Sequence, residues 1–345
     1  MIASTATERV QKRLKEVLSG GQAQLEEVLM GPLQGLGKML RPRLVLLSRG
    51  LLGPIEDLTV DVAVAVECIH NASLIHDDII DAAVLRRGAP TINHLYGPKI
   101  AVLVGDHYFA AAFGLLTRHN LKHIMRELSD AIQDMCKGEI YQDLNLFNPY
   151  ITEDDYWTSI FGKTASLFSA ACRCGVMAGG GSAREVYLMG KFGRELGYAY
   201  QVADDINDLI GDEEKMGKPA GTDLVNGVIT LPVIRALKIS PERELISFLI
   251  LSRRIYGSDL KKVIALIEEC GAFEYAACKV KAKVEKAKEV LAAFRDCPAR
   301  DELIEMADSI ISMLPAGLAG RIEGCVDEEE ETCVACHPLP GYVVT

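Results

Sequence analysis

The sequence lacks long uncharged apolar runs and has few signals for β-structure. No stretch of about eighteen consecutive apolar residues is free of charge, so we expect no transmembrane helix. The first fifteen or so residues are polar and amphipathic, without the apolar centre of a signal peptide. The expected location is therefore the cytoplasm.

Positive charge is also in short supply. The chain of 345 residues has 48 acidic and 37 basic side chains, and its formal net charge is −11. This balance argues against a nucleic-acid partner and against a basic membrane-binding face. An anionic substrate would need metal ions or local basic groups to bind to such a chain.

Glycine, proline and strand-forming clusters are sparse, and apolar residues recur every three or four positions along most of the chain. This pattern predicts an all-α protein, folded as a single large helical bundle without a linker that divides it. We expect one domain over residues 1–323. The expected helices span residues 6–30, 40–52, 57–81, 91–95, 99–118, 121–142, 153–180, 183–211, 227–238, 242–252, 256–270, 272–295 and 300–314.

The last residues, 324–345, have a different composition. They contain an acidic run, 327–331, followed by Cys333, Cys336 and His337 in the spacing used to attach c-type haem. No export signal or haem pocket accompanies this spacing, so we expect a chance match or a weak metal site. The acidic tail is predicted to be disordered.

Three aspartates end an apolar run in the segment 69–81. Residues three or four apart share a helix face, so Asp77, Asp78 and Asp81 are expected to point the same way. Crowded carboxylates repel one another unless cations lie among them, and all-oxygen ligands suit a hard ion such as Mg²⁺. Taken alone, this spacing is equally consistent with a solvated helix end.

The same spacing recurs far along the chain at Asp204, Asp205 and Asp208, again after an apolar run. The repetition favours a metal site over a chance match. Gln201 lies one helical turn before this second cluster and is expected to face the same space.

Basic residues lie in four separate segments that could serve the same pocket. The planar guanidinium of arginine suits phosphate oxygens, and a lysine in an apolar helix needs a partner. For each group, a solvated or ion-paired surface residue is the alternative. The segments contain Lys38 with Arg41, Arg86 with Arg87, Lys163 with Thr164, and Lys218. Two aspartate clusters with bound metal ions, together with these basic residues, are suited to hold a diphosphate. The apolar helices that carry the clusters suggest a deep central cavity below a charged mouth.

The order of these motifs resembles that of the trans-isoprenyl diphosphate synthases (polyprenyl synthetases). Within this family, the chain resembles the medium- and long-chain members most. The resemblance covers about residues 30–240 and rests on GKMLRP, HNASLIHDDIID, LRRGAPT, GKTAS, YQVADDINDL, GKPAGTDL and ITLP. It implies the isoprenoid synthase fold, a homodimer, and about three Mg²⁺ ions bound with a diphosphate.

The resemblance also implies residue roles. The metal positions are Asp77, Asp78, Asp81, Asp204, Asp205 and Asp208. The positions that bind isopentenyl diphosphate are Lys38, Arg41, His70 and Arg87. Those that contact the allylic diphosphate are Arg86, Lys163 and Lys218, and those beside the reacting carbons are Thr164 and Gln201. The implied reaction ionises the allylic diphosphate, adds the double bond of isopentenyl diphosphate to the carbocation and then loses a proton.

Two positions depart from the family pattern, because Met39 and Val228 replace residues that are often basic. Neither change removes an acid, so we expect an active enzyme. The alternatives are a geranylgeranyl or farnesyl diphosphate synthase, a non-catalytic subunit of a heteromeric synthase, and a terpene cyclase. The intact aspartate triplets argue against the last two.

Small side chains before the first aspartate favour a medium or long product. The expected wall of the shaft comprises Cys68, Ile69, Ala72 and Ser73, with Phe109 or Phe113 as a possible stop on the neighbouring helix. Short-chain synthases similar to this chain place an aromatic plug four or five residues before the first aspartate, and here that place is open.

Ala72→Phe is therefore expected to shorten the product, because the new ring would block the shaft. Thin-layer chromatography of the dephosphorylated products measures the change. Unchanged product lengths would refute this assignment of the shaft.

Overall fold

The computed structural model describes residues 2–33, 37–211 and 220–322. Lys218 and the expected acidic tail lie outside these residues, so the predicted domain boundary stays a prediction. Within them the chain is almost entirely helical, and the predicted all-α class is confirmed. The helices are α1 Ile2–Leu18, α2 Ala23–Met30, α3 Leu40–Gly50, α4 Asp57–Ile80, α5 Ile92–Tyr96, α6 Pro98–Thr117, α7 Lys122–Leu144, α8 Glu153–Ile160, α9 Ser166–Ala178, α10 Ala183–Ile210, α11 Thr222–Val225, α12 Leu231–Ile239, α13 Arg243–Leu251, α14 Gly257–Glu269, α15 Ala272–Leu291, α16 Pro298–Ile311 and α17 Ala316–Ala319.

Two helix predictions were wrong at glycines. The expected helix over residues 6–30 is interrupted between α1 and α2, where Gly21 has a φ of 70°. The helix expected from residue 227 begins only at Leu231, because Gly227 has a φ of 91°. A positive φ is accessible to glycine but ends a right-handed helix.

A small β-hairpin was not predicted. Its strands, β1 Leu85–Arg86 and β2 Ala89–Pro90, are antiparallel, and the two residues between them, Arg87 and Gly88, both have positive φ. This is the backbone that a two-residue hairpin turn requires. The turn carries Arg87, one of the predicted substrate-binding residues.

Helix α4 is the central core helix and packs most extensively against α6. By length and composition, α4 and α6 could each cross a membrane, although core helices of globular proteins pass the same test. The apolar window of α4 is 78% buried inside the fold, whereas that of α6 is only 39% buried. Packing inside the fold therefore accounts for the composition of α4, and α6 presents an apolar outer face.

Helix α10 packs against α9 and α15, and its start is fixed by a capping box. Ser182 accepts a hydrogen bond from the backbone of Glu185, whose carboxylate accepts from the backbone and hydroxyl of Ser182. Both aspartate triplets lie at the C-terminal ends of long helices, α4 and α10. The negative end of a helix dipole adds to the charge of these carboxylates, so each end favours a cation.

Candidate active site

The connection between α8 and α9 is a π-helical turn, Phe161–Ala165, that carries Lys163 and Thr164. Short π-helical segments are often found at functional sites. This turn lies unusually close to α7. A Cβ on Gly162 would lie 2.5 Å from the carbonyl oxygen of Asp134, and one on Gly138 would lie 2.7 Å from the amide nitrogen of Lys163. The two glycines thus bring the polar face of α7 to Lys163.

Lys163 lies among carboxylates from several elements. Its Nζ is 3.2 Å from Oε1 of Gln142 and 3.5 Å from Oε2 of Glu139. Burial alone would lower the pKa of Lys163, but Glu139, Asp223, Asp77 and Asp81 together raise it. Lys163 therefore stays charged, and the first aspartate triplet and Asp223 act on the same ammonium group.

The first triplet is divided between two environments. Burial, and then the nearby charge of Glu139, raise the pKa of Asp77 to about 7. Asp78 is buried and accepts a hydrogen bond at 2.6 Å from Nε of Arg86. Asp81 is exposed at the end of α4. Asp77 and Asp81 are one helical turn apart on the face towards Lys163, whereas Asp78 holds Arg86.

The second triplet is tied into a hydrogen-bonded chain. Tyr156 donates to Oδ2 of Asp205 at 2.6 Å, and the amide of Gln201 donates to Oδ1 at 2.8 Å. The hydroxyl of Thr164 donates to the other end of the Gln201 amide. Burial, and then Asp223, raise the pKa of Asp205 to about 7. The predicted residues Thr164 and Gln201 thus connect the π-helical turn to this triplet.

The other two members of the second triplet differ in exposure. Asp204 is exposed and Asp208 is buried. One carboxylate oxygen of Asp208 accepts a hydrogen bond from the backbone of Asp223, and its carbonyl accepts from the backbone of Gly221. These contacts hold the start of α11 against the end of α10 and bring Asp223 to the site.

A second basic group lies beside α4. Nη1 of Arg41 is 3.0 Å from Nε2 of His70. Because arginine can only donate, Nε2 of His70 accepts and the ring is neutral with its proton on Nδ1. Burial, and then the charges of Arg41, Arg87 and Arg86, lower the pKa of His70 well below its usual value. The ring thus offers a neutral donor rather than a charge.

Arg87 approaches the same place from the hairpin. Its guanidinium lies so close to Gly37 that a Cβ there would be 2.7 Å from Nη1. Lys38 follows Gly37 and is exposed. Met39, which replaces an often basic residue, is buried and has a φ of 51°, so it contributes no charge. Val228 is half-buried, and its backbone donates to the carbonyl of Asp223.

The expected wall residues lie below Asp77 but are not equally accessible. Cys68, Ile69 and Ala72 are fully buried, whereas Ser73 is half-buried and donates to the carbonyl of His70. A larger side chain at Ala72 must therefore displace its packed neighbours, which costs about 1–3 kcal/mol. Ser73 lies one turn before Asp77 on the same helix face.

Sequence reasoning missed several residues of the site: Glu139, Gln142, Tyr156 and Asp223. Asp223 lies in the motif GKPAGTDL and is the one that could have been found, because an acid follows a glycine soon after the second triplet. The other three reach the site only through the packing of α7 and α8. No local pattern distinguishes them from solvated polar residues.

The donor set suits Mg²⁺, which prefers oxygen ligands and is usually bound by one or two carboxylates together with substrate phosphates. Within the described residues, no three acidic, histidine or cysteine side chains already form a closed metal site. Burial, with the charge of neighbouring carboxylates adding to it, raises the pKa values of Asp77 and Asp205, so a cation bound beside them would stabilise their charged forms. The residues present therefore fit Mg²⁺ ions whose coordination is completed by a diphosphate.

The raised pKa values predict how the stability of the metal-free protein depends on pH. In the folded state Asp77 and Asp205 have pKa values of about 7, well above their ordinary value of 3.8. The folded protein therefore binds more protons than the unfolded chain between about pH 4 and 7, and its stability falls as pH rises through this range.

We expect the melting temperature in EDTA to fall by a few degrees between pH 5 and 7.5. The double variant Asp77→Asn, Asp205→Asn should lose most of this dependence, whereas Asp57→Asn, at a fully exposed side chain, should keep it. An equal pH dependence in all three proteins would contradict the raised pKa values.

Comparisons with known proteins identify the family of the chain. The family model for polyprenyl synthetase matches residues 22–267. The short chain isoprenyl diphosphate synthase of Methanothermobacter thermautotrophicus is 37% identical over 80% of this chain and 86% of the relative. The octaprenyl diphosphate synthase of Escherichia coli is 33% identical over 79% of this chain and 85% of the relative.

A solved structure is also similar to the whole bundle. It is the polyprenyl synthase from Caulobacter crescentus CB15 complexed with calcium and isoprenyl diphosphate. The TM-score is 0.85 at 31% identity, and the match covers 90% of this chain and 95% of that one. The isoprenoid synthase fold expected from the sequence is confirmed.

Proposed function

The chain belongs to the polyprenyl synthetase family and is a trans-prenyltransferase that elongates prenyl diphosphates, and from this premise we propose its substrates, metal and product class. The substrates are isopentenyl diphosphate and an allylic prenyl diphosphate, and the reaction depends on Mg²⁺. One observation carries the proposal: carboxylates from the first triplet and Asp223, beside the second, converge on Lys163. Mg²⁺ ions bound between the triplets would neutralise this negative charge and would allow a diphosphate to bind beside the carboxylates.

The allylic diphosphate is held from two sides. Lys163 supplies a charge between the triplets, and Arg86, fixed by Asp78, supplies a second. Bound Mg²⁺ supplies Lewis-acid assistance to the departure of the diphosphate. Gln201 and Thr164 form a neutral polar wall that can face a carbocation without capturing it. Lys218 is proposed to reach the same diphosphate.

Isopentenyl diphosphate is held by the second basic group. Arg41, Arg87 and Lys38 supply charge, and His70 supplies a neutral hydrogen-bond donor. Because two separate cationic groups serve two diphosphates, the chain can orient the double bond towards the allylic carbon. The proposed metal ligands are Asp77, Asp78, Asp81, Asp204, Asp205 and Asp208, and Asp78 also holds Arg86.

A medium or long prenyl chain is the proposed product, because Ser73 leaves the helix face below Asp77 without an aromatic plug. A phenylalanine at Ser73 would block the proposed shaft with less damage to the core than one at Ala72. A geranylgeranyl product is the alternative, and the cytoplasmic location stays a prediction.

The assay that tests the proposal supplies labelled isopentenyl diphosphate, farnesyl diphosphate and Mg²⁺ to the purified protein. We expect label in a prenyl diphosphate longer than geranylgeranyl. Asp77→Asn and Asp205→Asn should each lower kcat by about 10²–10³-fold, as loss of a group that stabilises developing charge does. Asp57→Asn should leave kcat unchanged.

Other products separate the alternatives. Geranylgeranyl diphosphate as the end product would overturn the chain-length proposal alone, and a hydrocarbon product would indicate a cyclase. No turnover without a second protein would indicate a subunit of a heteromeric synthase.

We also propose that the protein is a homodimer through the outer face of α6. Ile100, Val102 and Leu103 are 36%, 43% and 56% exposed, and the small residues Ala110 and Gly114 lie exposed further along the helix. A long apolar helix that is mostly uncovered by its own chain needs a partner surface. A second copy of the same helix offers matching apolar chemistry, and small residues allow close approach.

Leu103→Glu is expected to convert the dimer to a monomer, because it places a charge in the contact. Light scattering after size-exclusion chromatography measures the mass. The matched control is Leu251→Glu on α13, since Leu251 is 55% exposed and lies on another element. A monomeric wild type, or loss of the dimer in both variants, would contradict the assignment of this face.

A further inference from the structure

The guanidinium of Arg41 lies against two neutral side chains. It lies over the ring of Phe168, with 4.8 Å between the Cζ atom and the ring centroid, and Nη1 contacts the neutral His70. Among the described residues, no carboxylate lies within ion-pair distance of Arg41, and its Nε is buried without a hydrogen-bond partner. Burial lowers the pKa of Arg41, and the charge of Arg87 adds to this, whereas Tyr200 and Glu67 act in the opposite direction. A buried cation with neutral neighbours is stabilised when an anion binds beside it.

Phe168 is a rigid support for this cation. It is 1% exposed, and the ring centroid of Tyr200 is 5.5 Å from its own. Two glycines of α10 press against its backbone. A Cβ on Gly193 would lie 2.5 Å from the carbonyl oxygen of Phe168, and one on Gly197 would lie 3.2 Å from its Cβ. This close approach of α9 and α10 fixes the backbone that carries the ring.

A carboxylate partner would compete with the substrate for the N–H donors of Arg41. Arg86 illustrates the alternative, since its Nε is already bonded to Asp78 at 2.6 Å. An aromatic face attracts a guanidinium through its π-electrons and leaves the N–H edges available. The ring therefore orients Arg41 without neutralising it, so that a diphosphate meets the full charge in a fixed place.

We propose that Phe168 is a positioning residue for the isopentenyl diphosphate site, acting through the face of its ring on Arg41. The proposal rests on the proposed function, in which Arg41 binds that diphosphate. Among the cations of the described residues, Arg41 alone lies over the ring of Phe168, so we expect the effect to be confined to one of the two substrates. The allylic site around Lys163 keeps its own contacts.

The test replaces Phe168 with methionine, which fills a similar volume without a ring. The Michaelis constant for isopentenyl diphosphate should rise about five-fold, which corresponds to about 1 kcal/mol of lost cation–π attraction. The Michaelis constant for farnesyl diphosphate should stay unchanged. Phe168→Tyr, which retains the ring face, should restore the wild-type ratio of the two constants. The control is Phe192→Met, because Phe192 is an equally buried ring on α10 and Arg41 lies over the ring of Phe168 instead.

A double-substitution cycle separates positioning from a purely structural effect. In the background of Arg41→Ala, Phe168→Met should cause no further rise in the constant for isopentenyl diphosphate. An additive effect, or an equal rise for both substrates, would overturn the proposal. If Arg41→Ala alone leaves the constant for isopentenyl diphosphate unchanged in an active enzyme, the proposed role of Arg41 fails. If Arg41→Ala raises that constant and Phe168→Met does not, only the role of Phe168 fails.

Discussion

The repulsion among carboxylates around Lys163 is the interaction on which the site depends. Two long helices end at this place with acidic triplets, and the helix dipoles add further negative charge. Glu139 and Asp223 approach as well, and burial, with these charges adding to it, raises the pKa values of Asp77 and Asp205 to about 7. One lysine cannot balance this charge. The site therefore has negative charge that bound metal ions would neutralise, and the same ions would attract a diphosphate.

The two basic groups of the site differ in what holds their arginines in place. Arg86 is fixed by a charged partner, Asp78, whereas Arg41 is fixed by Phe168 and the neutral His70. The first arrangement keeps a cation in place beside carboxylates that would otherwise pull it aside. In the second arrangement, Arg41 lies against neutral side chains, so its charge is available to a bound anion. An acidic chain can thus hold anionic substrates because its positive charge is placed locally and supported by the surrounding helices.

The sequence predicted the all-α class and grouped the residues of both triplets, because helical periodicity and motif spacing are local properties of the chain. It missed the interruption after α1 and the hairpin at Arg87, since both depend on single residues with positive φ. It also missed Glu139 and Tyr156. These side chains reach the site only because Gly138 and Gly162 let α7 approach the π-helical turn, and because α8 packs beside α10.

The sequence spacing makes Asp77, Asp78 and Asp81 look equivalent, but the structure places them in different environments. Spacing places all three near one face, but the return of the chain through the hairpin brings Arg86 to Asp78 alone. Similarly, the wall residues look alike in sequence, yet only Ser73 is less than fully buried. Which residues of a motif act on a substrate therefore depends on contacts between elements distant in sequence.

Calorimetric titration with an unreactive allylic thiodiphosphate tests the central claim most directly. If the triplets are bridged by metal ions and a diphosphate, the thiodiphosphate should bind tightly with Mg²⁺ and at least a hundred-fold more weakly in EDTA, about 2.7 kcal/mol. Asp77→Asn and Asp205→Asn should each remove most of this dependence on Mg²⁺. Tight binding in EDTA, or variants that keep the full dependence on Mg²⁺, would contradict the account.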